Sequence, residues 1–220
     1  MNLAKEFSLG RYMFLVFIAE ISFLLLVIVF TNISIALYES HPSLSQTAHT
    51  IMQGLAEKVG DVEQSGMAVK IFLNNLLITI APLMIFSLQL LPLGVFKKVA
   101  VVLSAAVGAF LYFINIIVVG LIMGVLSANV KIHYIILLFA TMVHGIFELF
   151  AVSAGTIFGG YYVYKTMIKS RNNENAFFQY LPAAQKLVFK LIILITVILA
   201  LAAVIESYVS APLAEKIMGG

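Results

Sequence analysis

The chain has 220 residues, of which 62% are hydrophobic and only 10% charged, and its mean hydropathy is +1.09. A soluble globular domain is about half apolar and about one quarter charged, so this composition excludes one and points to a helical membrane protein. The net charge of +3 is too small to mark a nucleic-acid binder, and the absence of cysteine excludes disulfides, thiol nucleophiles and cysteine-based zinc sites.

A membrane span takes about 20 apolar residues. Lys5 and Arg11 precede the first long apolar run, 12–37. That run is too long for the core of a signal peptide and is followed by no small-x-small cleavage site, so it reads as a retained span. Residues 39–68 form a loop that opens on His41-Pro42. In it Leu44, Ala48, Ile51, Met52, Leu55, Ala56 and Val59 recur at helical spacing, with Ser43 or Ser45 available as a cap. This predicts an amphipathic helix lying on the membrane or packed over the bundle. Four more apolar segments follow, at 69–92, 99–126, 133–164 and 187–209, and 165–186 is a polar connection. The expected fold is therefore all-α: one polytopic transmembrane helix bundle over 1–220, with about five spans.

Basic residues set the orientation. With the N-terminus inside, Lys5, Arg11, Lys97, Lys98, Lys165, Lys169, Arg171, Lys186 and Lys190 fall on the cytoplasmic side, and only Lys58, Lys70, Lys131 and Lys216 fall outside. The expected arrangement in a cell membrane is N-terminus cytoplasmic and C-terminus external.

The fourth segment is too long for one upright helix. Its 32 residues extend about 48 Å as a helix, against a hydrocarbon core of about 30 Å. Tyr161, Tyr162, Tyr164 and Lys165 mark its inner interface. Counting back about 20 residues puts the outer interface near Met142, so 133–143 is expected to be a separate short or re-entrant piece just before His144. There the chain reads His144-Gly145-Ile146-Phe147-Glu148 within Ile132–Tyr164, which has no other acidic or basic residue except His133. Ionisable side chains in a span are costly and face a packed interior, a cavity or a partner. On a helix, His144 and Glu148 share a face.

The same depth count places Asn74, Asn75, Asn115 and Glu206 at a similar outer level. These residues, with His144 and Glu148, form the expected ligand- or partner-binding cluster. Glu20 lies deeper; its expected partner is Gln89, Ser22 or a neighbouring backbone carbonyl, or else it is protonated, and it fits a structural interior residue as well as part of a conduction path. Gly120 and Gly124, and Gly155 and Gly159, form two GxxxG pairs. Ordinary packing explains such pairs more often than a dimer face does, although they allow homo-oligomerisation.

Several of these residues resemble one family. Val143-His144-Gly145-Ile146-Phe147-Glu148-Leu149-Phe150-Ala151 resembles the Pro-His-Gly-x-x-Glu-x-x-Ala signature of stage II sporulation protein M. Ile71-Phe72-Leu73-Asn74-Asn75 is similar to that family's Phe-x-x-Asn-Asn segment. Ala202-Ala203-Val204-Ile205-Glu206-Ser207-Tyr208-Val209-Ser210 is similar to its C-terminal Ala-x-Ile-Glu-x-Phe element, and Asn115 with Gly120 is a looser match to its third span. The resemblance covers about 70–220 in the right order. It departs at Val143, where the family has proline, and at Tyr208, which displaces the family's phenylalanine. It implies an integral membrane protein. The sporulation members take part in membrane migration around the forespore with peptidoglycan-degrading partners, and relatives occur widely in organisms that do not sporulate.

Three functions fit these residues. The first is a membrane scaffold or assembly component that binds other membrane or envelope proteins, with no catalytic residues. The second is a transporter or channel, since polar groups at a broken helix point to a substrate site. The third is an intramembrane metal enzyme, with His144, Glu148 and Glu206 as ligands of a divalent metal, the one cofactor these residues suggest. A plain hydrogen-bonded His144–Glu148 pair that stabilises the fold is the structural alternative to all three.

Overall fold

The structure is a computed structural model, and it describes residues 9–41, 64–91, 94–168, 176–210 and 212–213. Among them every element is helical: α1 (Leu9–Ser40), α2 (Gln64–Ser87), α3 (Gly94–Val130), α4 (Tyr134–Thr156), α5 (Phe158–Val163) and α6 (Ala176–Ile205). A short 3-10 turn, Leu88–Leu90, follows α2, and wider π turns, Tyr164–Ile168 and Glu206–Ser210, follow α5 and α6. The amphipathic helix expected around 43–59 lies outside the described residues, as does 169–175.

Four helices among the described residues are long and apolar enough to cross a membrane: Leu9–Ser40, Ala68–Leu90, Phe96–Val130 and Phe178–Ser210. The pair Met142–Thr156 and Phe158–Thr166, bent by 40°, makes a fifth when taken as one span. The chain is thus an all-α, multi-pass membrane protein. Its exposed faces agree with that: Phe14, Leu25, Leu77, Phe110, Phe139 and Ile193 are each at least 60% exposed. In water such a surface drives association, whereas in lipid it is the ordinary outer face. The buried faces carry small and hydroxyl side chains such as Ser104, Thr79, Ser153 and Thr156, which let helices approach where no hydrophobic force acts between them.

The contacts group into two units. The first contains residues 1–21, 75–113 and 149–199. Its core is a set of ring contacts. Phe158 meets Tyr12 at 5.6 Å and Phe86 at 5.0 Å, and Phe86 also meets Tyr162 at 5.1 Å, all edge-on. Such pairs add on the order of 1 kcal/mol each beyond the area they bury. Glycine supplies the close approaches. A Cβ at Gly108 would strike the Thr156 carbonyl, one at Gly155 the Thr79 carbonyl, and one at Gly159 the backbone of Ala105.

The second unit contains residues 22–74, 114–148 and 200–220. Here Gly120 lies against Val27 and Phe30, and Gly124 against Thr31 and Ser34. Ser34 Oγ donates to the Leu121 carbonyl at 3.0 Å. Both GxxxG pairs are therefore used between helices of the same chain. α3 ends at Lys131, whose φ of 56° is the left-handed conformation that stops a helix. Ser127 Oγ donates to the Ile132 carbonyl at 2.8 Å, and the Ile136 N–H donates to the His133 carbonyl at 2.9 Å, which fixes this tight turn into α4.

The fourth span is broken, but not where the sequence suggests. α4 runs without interruption from Tyr134 through His144, and the break falls at Ile157. Val143 keeps the N–H that a proline would lack, so nothing in the ladder stops the helix there. At the observed break, one acceptor of the last turn of α4 takes a donor from another helix. Tyr12 Oη donates to the Ala154 carbonyl at 2.6 Å, while the Ile157 N–H keeps its ordinary helical bond to the Ser153 carbonyl at 3.2 Å. Thr156 Oγ1 also bonds back to the Val152 carbonyl at 2.7 Å, a contact that bends helices.

Candidate functional site

The polar site lies within the second unit. Unbroken α4 puts His144 and Glu148 one turn apart on a single face. Glu206 opens the π turn that follows α6. This turn precedes Pro212, whose missing N–H interrupts an α-helical ladder. π segments inside helical proteins are often found at functional sites. His144 Nε2 stands 3.8 Å from Glu206 Oε1. One ligand atom from each of His144, Glu148 and Glu206 lies within 4.8 Å of the others.

The cluster is half-buried. The side chains of His144 and Glu206 keep 12% and 27% of their exposure, so a small ligand can reach them. The separation of 3.8 Å is too long for a hydrogen bond. His144 Nδ1 is buried and has no hydrogen-bond partner among the described residues. Glu148 is itself engaged in an interaction. The donor set, one imidazole nitrogen and two carboxylate oxygens, suits a divalent cation. Ligands about 2.1 Å from a tetrahedral ion stand about 3.4 Å apart, so side-chain rotation of about an ångström closes the set around one.

The three asparagines are placed differently. Asn74 is exposed on α2. Asn75 and Asn115 are half-buried, and each is engaged in an interaction. Glu20, on α1 in the first unit, is 8% exposed and its Oε1 has no partner among the described residues. Gln89 Nε2 donates instead to Gln185 Oε1 at 2.9 Å.

Sequence reasoning missed two sets of buried polar groups. Ser207 and Ser210, in the π turn beside Glu206, are buried and their hydroxyls lack partners among the described residues. Gln185, in the segment expected to be a polar connection, lies within α6 and bonds both Gln89 and Ser87. Two carboxamides flanked by apolar runs, Gln89 and Gln185, were the available signal.

A family model described as stage II sporulation protein M matches residues 13–211. Comparison with curated proteins and comparison with solved structures return no match.

Proposed function

The chain belongs to the stage II sporulation protein M family, and from that premise we propose that it is a membrane assembly component that takes a divalent cation at His144, Glu148 and Glu206. The observation that carries the proposal is the meeting of one imidazole and two carboxylates from two helices within 4.8 Å. Ionisable groups in membrane helices are costly unless something compensates them. A device for packing alone needs its polar atoms satisfied by protein, and His144 Nδ1 is not so satisfied among the described residues. A dication offsets both carboxylates at once and ties α4 to the end of α6. The ion then fixes the mutual position of these helices and so the surface offered to membrane or envelope partners. The excess of lysine and arginine in the segments assigned to the inside supports a cytoplasmic N-terminus.

The test is elemental analysis of wild type and Glu148→Ala, both purified without added metal, by inductively coupled plasma mass spectrometry. Cross-linking of the same two proteins to their neighbours in native membranes accompanies it. The expected result is a stoichiometric divalent metal in wild type, lost in the variant together with the cross-links. No metal in either protein, with cross-links still lost in the variant, removes the cation and leaves the assembly role. Metal and cross-links both indifferent to the substitution overturn the site.

A further inference from the structure

A second site lies in the first unit, where α6 meets α3 and the turn after α2. A cavity of about 380 Å³ is lined there by Gln89, Lys97, Phe178, Gln185, Lys186 and Phe189, among others. We propose that this cavity binds an acidic phospholipid, with the phosphate between Lys97 and Lys186 and the acyl chains along the apolar wall.

The chemistry of the lining selects that occupant. Gln89 and Gln185 are 3% and 5% exposed, and they form a continuous polar floor. Gln89 donates to Gln185 at 2.9 Å, Gln185 to Ser87 Oγ at 3.0 Å, and Ser87 to the Leu83 carbonyl at 2.9 Å. The lysines bring two positive charges, and neither has a carboxylate partner among the described residues. The described basic residues of this unit are Arg11, Lys97, Lys98, Lys165, Lys186 and Lys190, against Glu20 as its described acidic residue. Among the described residues the charge of the site is therefore not cancelled locally, and it calls for an anion. A free anion leaves the rest of the lining unexplained. Leu90, Phe178 and Phe189 are 58%, 44% and 54% exposed, so the wall of the cavity is apolar and open to lipid. An amphiphile with an anionic head matches both halves, as basic pockets between membrane helices do. Lys98, whose ammonium sits 5.8 Å above the Phe178 ring, holds that ring at the mouth by a cation–π contact.

The experiment is native mass spectrometry of the full chain released from nanodiscs of equal parts phosphatidylglycerol and phosphatidylcholine. It is paired with titration of detergent-purified protein with each lipid and with inorganic phosphate. Wild type is expected to retain phosphatidylglycerol selectively. The variant Lys97→Ala/Lys186→Ala is expected to bind it about thirtyfold more weakly, whereas Lys97→Arg/Lys186→Arg keeps most of the affinity. The control Lys70→Ala/Lys131→Ala, which removes exposed lysines of the other unit, is expected to bind as wild type does. Equal retention of the two lipids by wild type overturns the proposal without any variant. So does inorganic phosphate acting as strongly as the lipid, or equal loss in the control. The cation site shares no residue with this cavity, so the two tests fail independently.

Discussion

His144 Nε2 on α4 and Glu206 Oε1 at the start of the last turn stand 3.8 Å apart, near enough to attract and too far to share a hydrogen bond. A third polar atom, from Glu148, completes the group. Ligands must be deprotonated to hold a metal, so protons and metal compete for these atoms. Occupancy is therefore expected to be high at neutral pH and to fall as pH drops through the range where imidazole and carboxylates gain protons. Metal content after dialysis at about pH 7.5 and about pH 5 checks this. Equal retention at both values counts against metal coordination by these residues.

Gly145, inside the His-Gly-x-x-Glu element, has open space where a Cβ would go. Gly145→Ala is expected to leave the thermal unfolding temperature unchanged or to raise it slightly, since alanine favours a helix by up to about 1 kcal/mol. Gly108→Ala is expected to do the opposite, because its Cβ would meet the Thr156 carbonyl. Overpacking of this kind typically costs about 1–3 kcal/mol. Unfolding of the two variants in one detergent compares them directly, and an equal loss in both would contradict the assignment.

Tyr12→Phe keeps the ring contacts with Phe158 and Tyr161 and removes only the hydroxyl that donates to Ala154. A buried carbonyl that loses its donor costs about 1–3 kcal/mol. A lower unfolding temperature is expected, together with faster amide exchange around the break at Ile157. Exchange that changes elsewhere and not there would separate Tyr12 from the break.

The Gln89–Gln185 bond offers a double-mutant cycle. Gln185→Leu strands Gln89 and is expected to cost about 1–3 kcal/mol, while Gln89→Leu/Gln185→Leu is expected to be closer to neutral. Additive losses would show that the two carboxamides do not act as a pair.

The expected spans overlap the observed helices because hydropathy reports which residues face lipid. It does not report where the backbone stops being helical. α3 was expected at 99–126 and runs from Gly94 to Val130, since polar residues at its ends prolong a helix as well as apolar ones do. α6 begins at Ala176, with Pro182 inside it, because tertiary packing outweighs the local penalty of one proline. His144 and Glu148 were legible as a pair from their spacing alone. Their meeting with Glu206, 58 residues beyond Glu148, depends on how α6 packs, and depth counting grouped the asparagines with them on depth alone. At the break at Ile157 the chain is met by Tyr12 and Gly108, and Thr156 bonds back to Val152; a threonine in an apolar run does not by itself announce a bend.

The hydroxyl of Tyr12 and the carbonyl that it bonds are 142 residues apart in the chain. At usual rates of synthesis, Ala154 leaves the ribosome about 7 to 30 s after Tyr12. Throughout that interval the tyrosine hydroxyl is present without this acceptor. The bond that holds the bend of the fourth span therefore cannot form before Ala154 is made, although the contacts of α6 must come later still. A truncated chain released before Ala154 carries the donor of this latch without its acceptor.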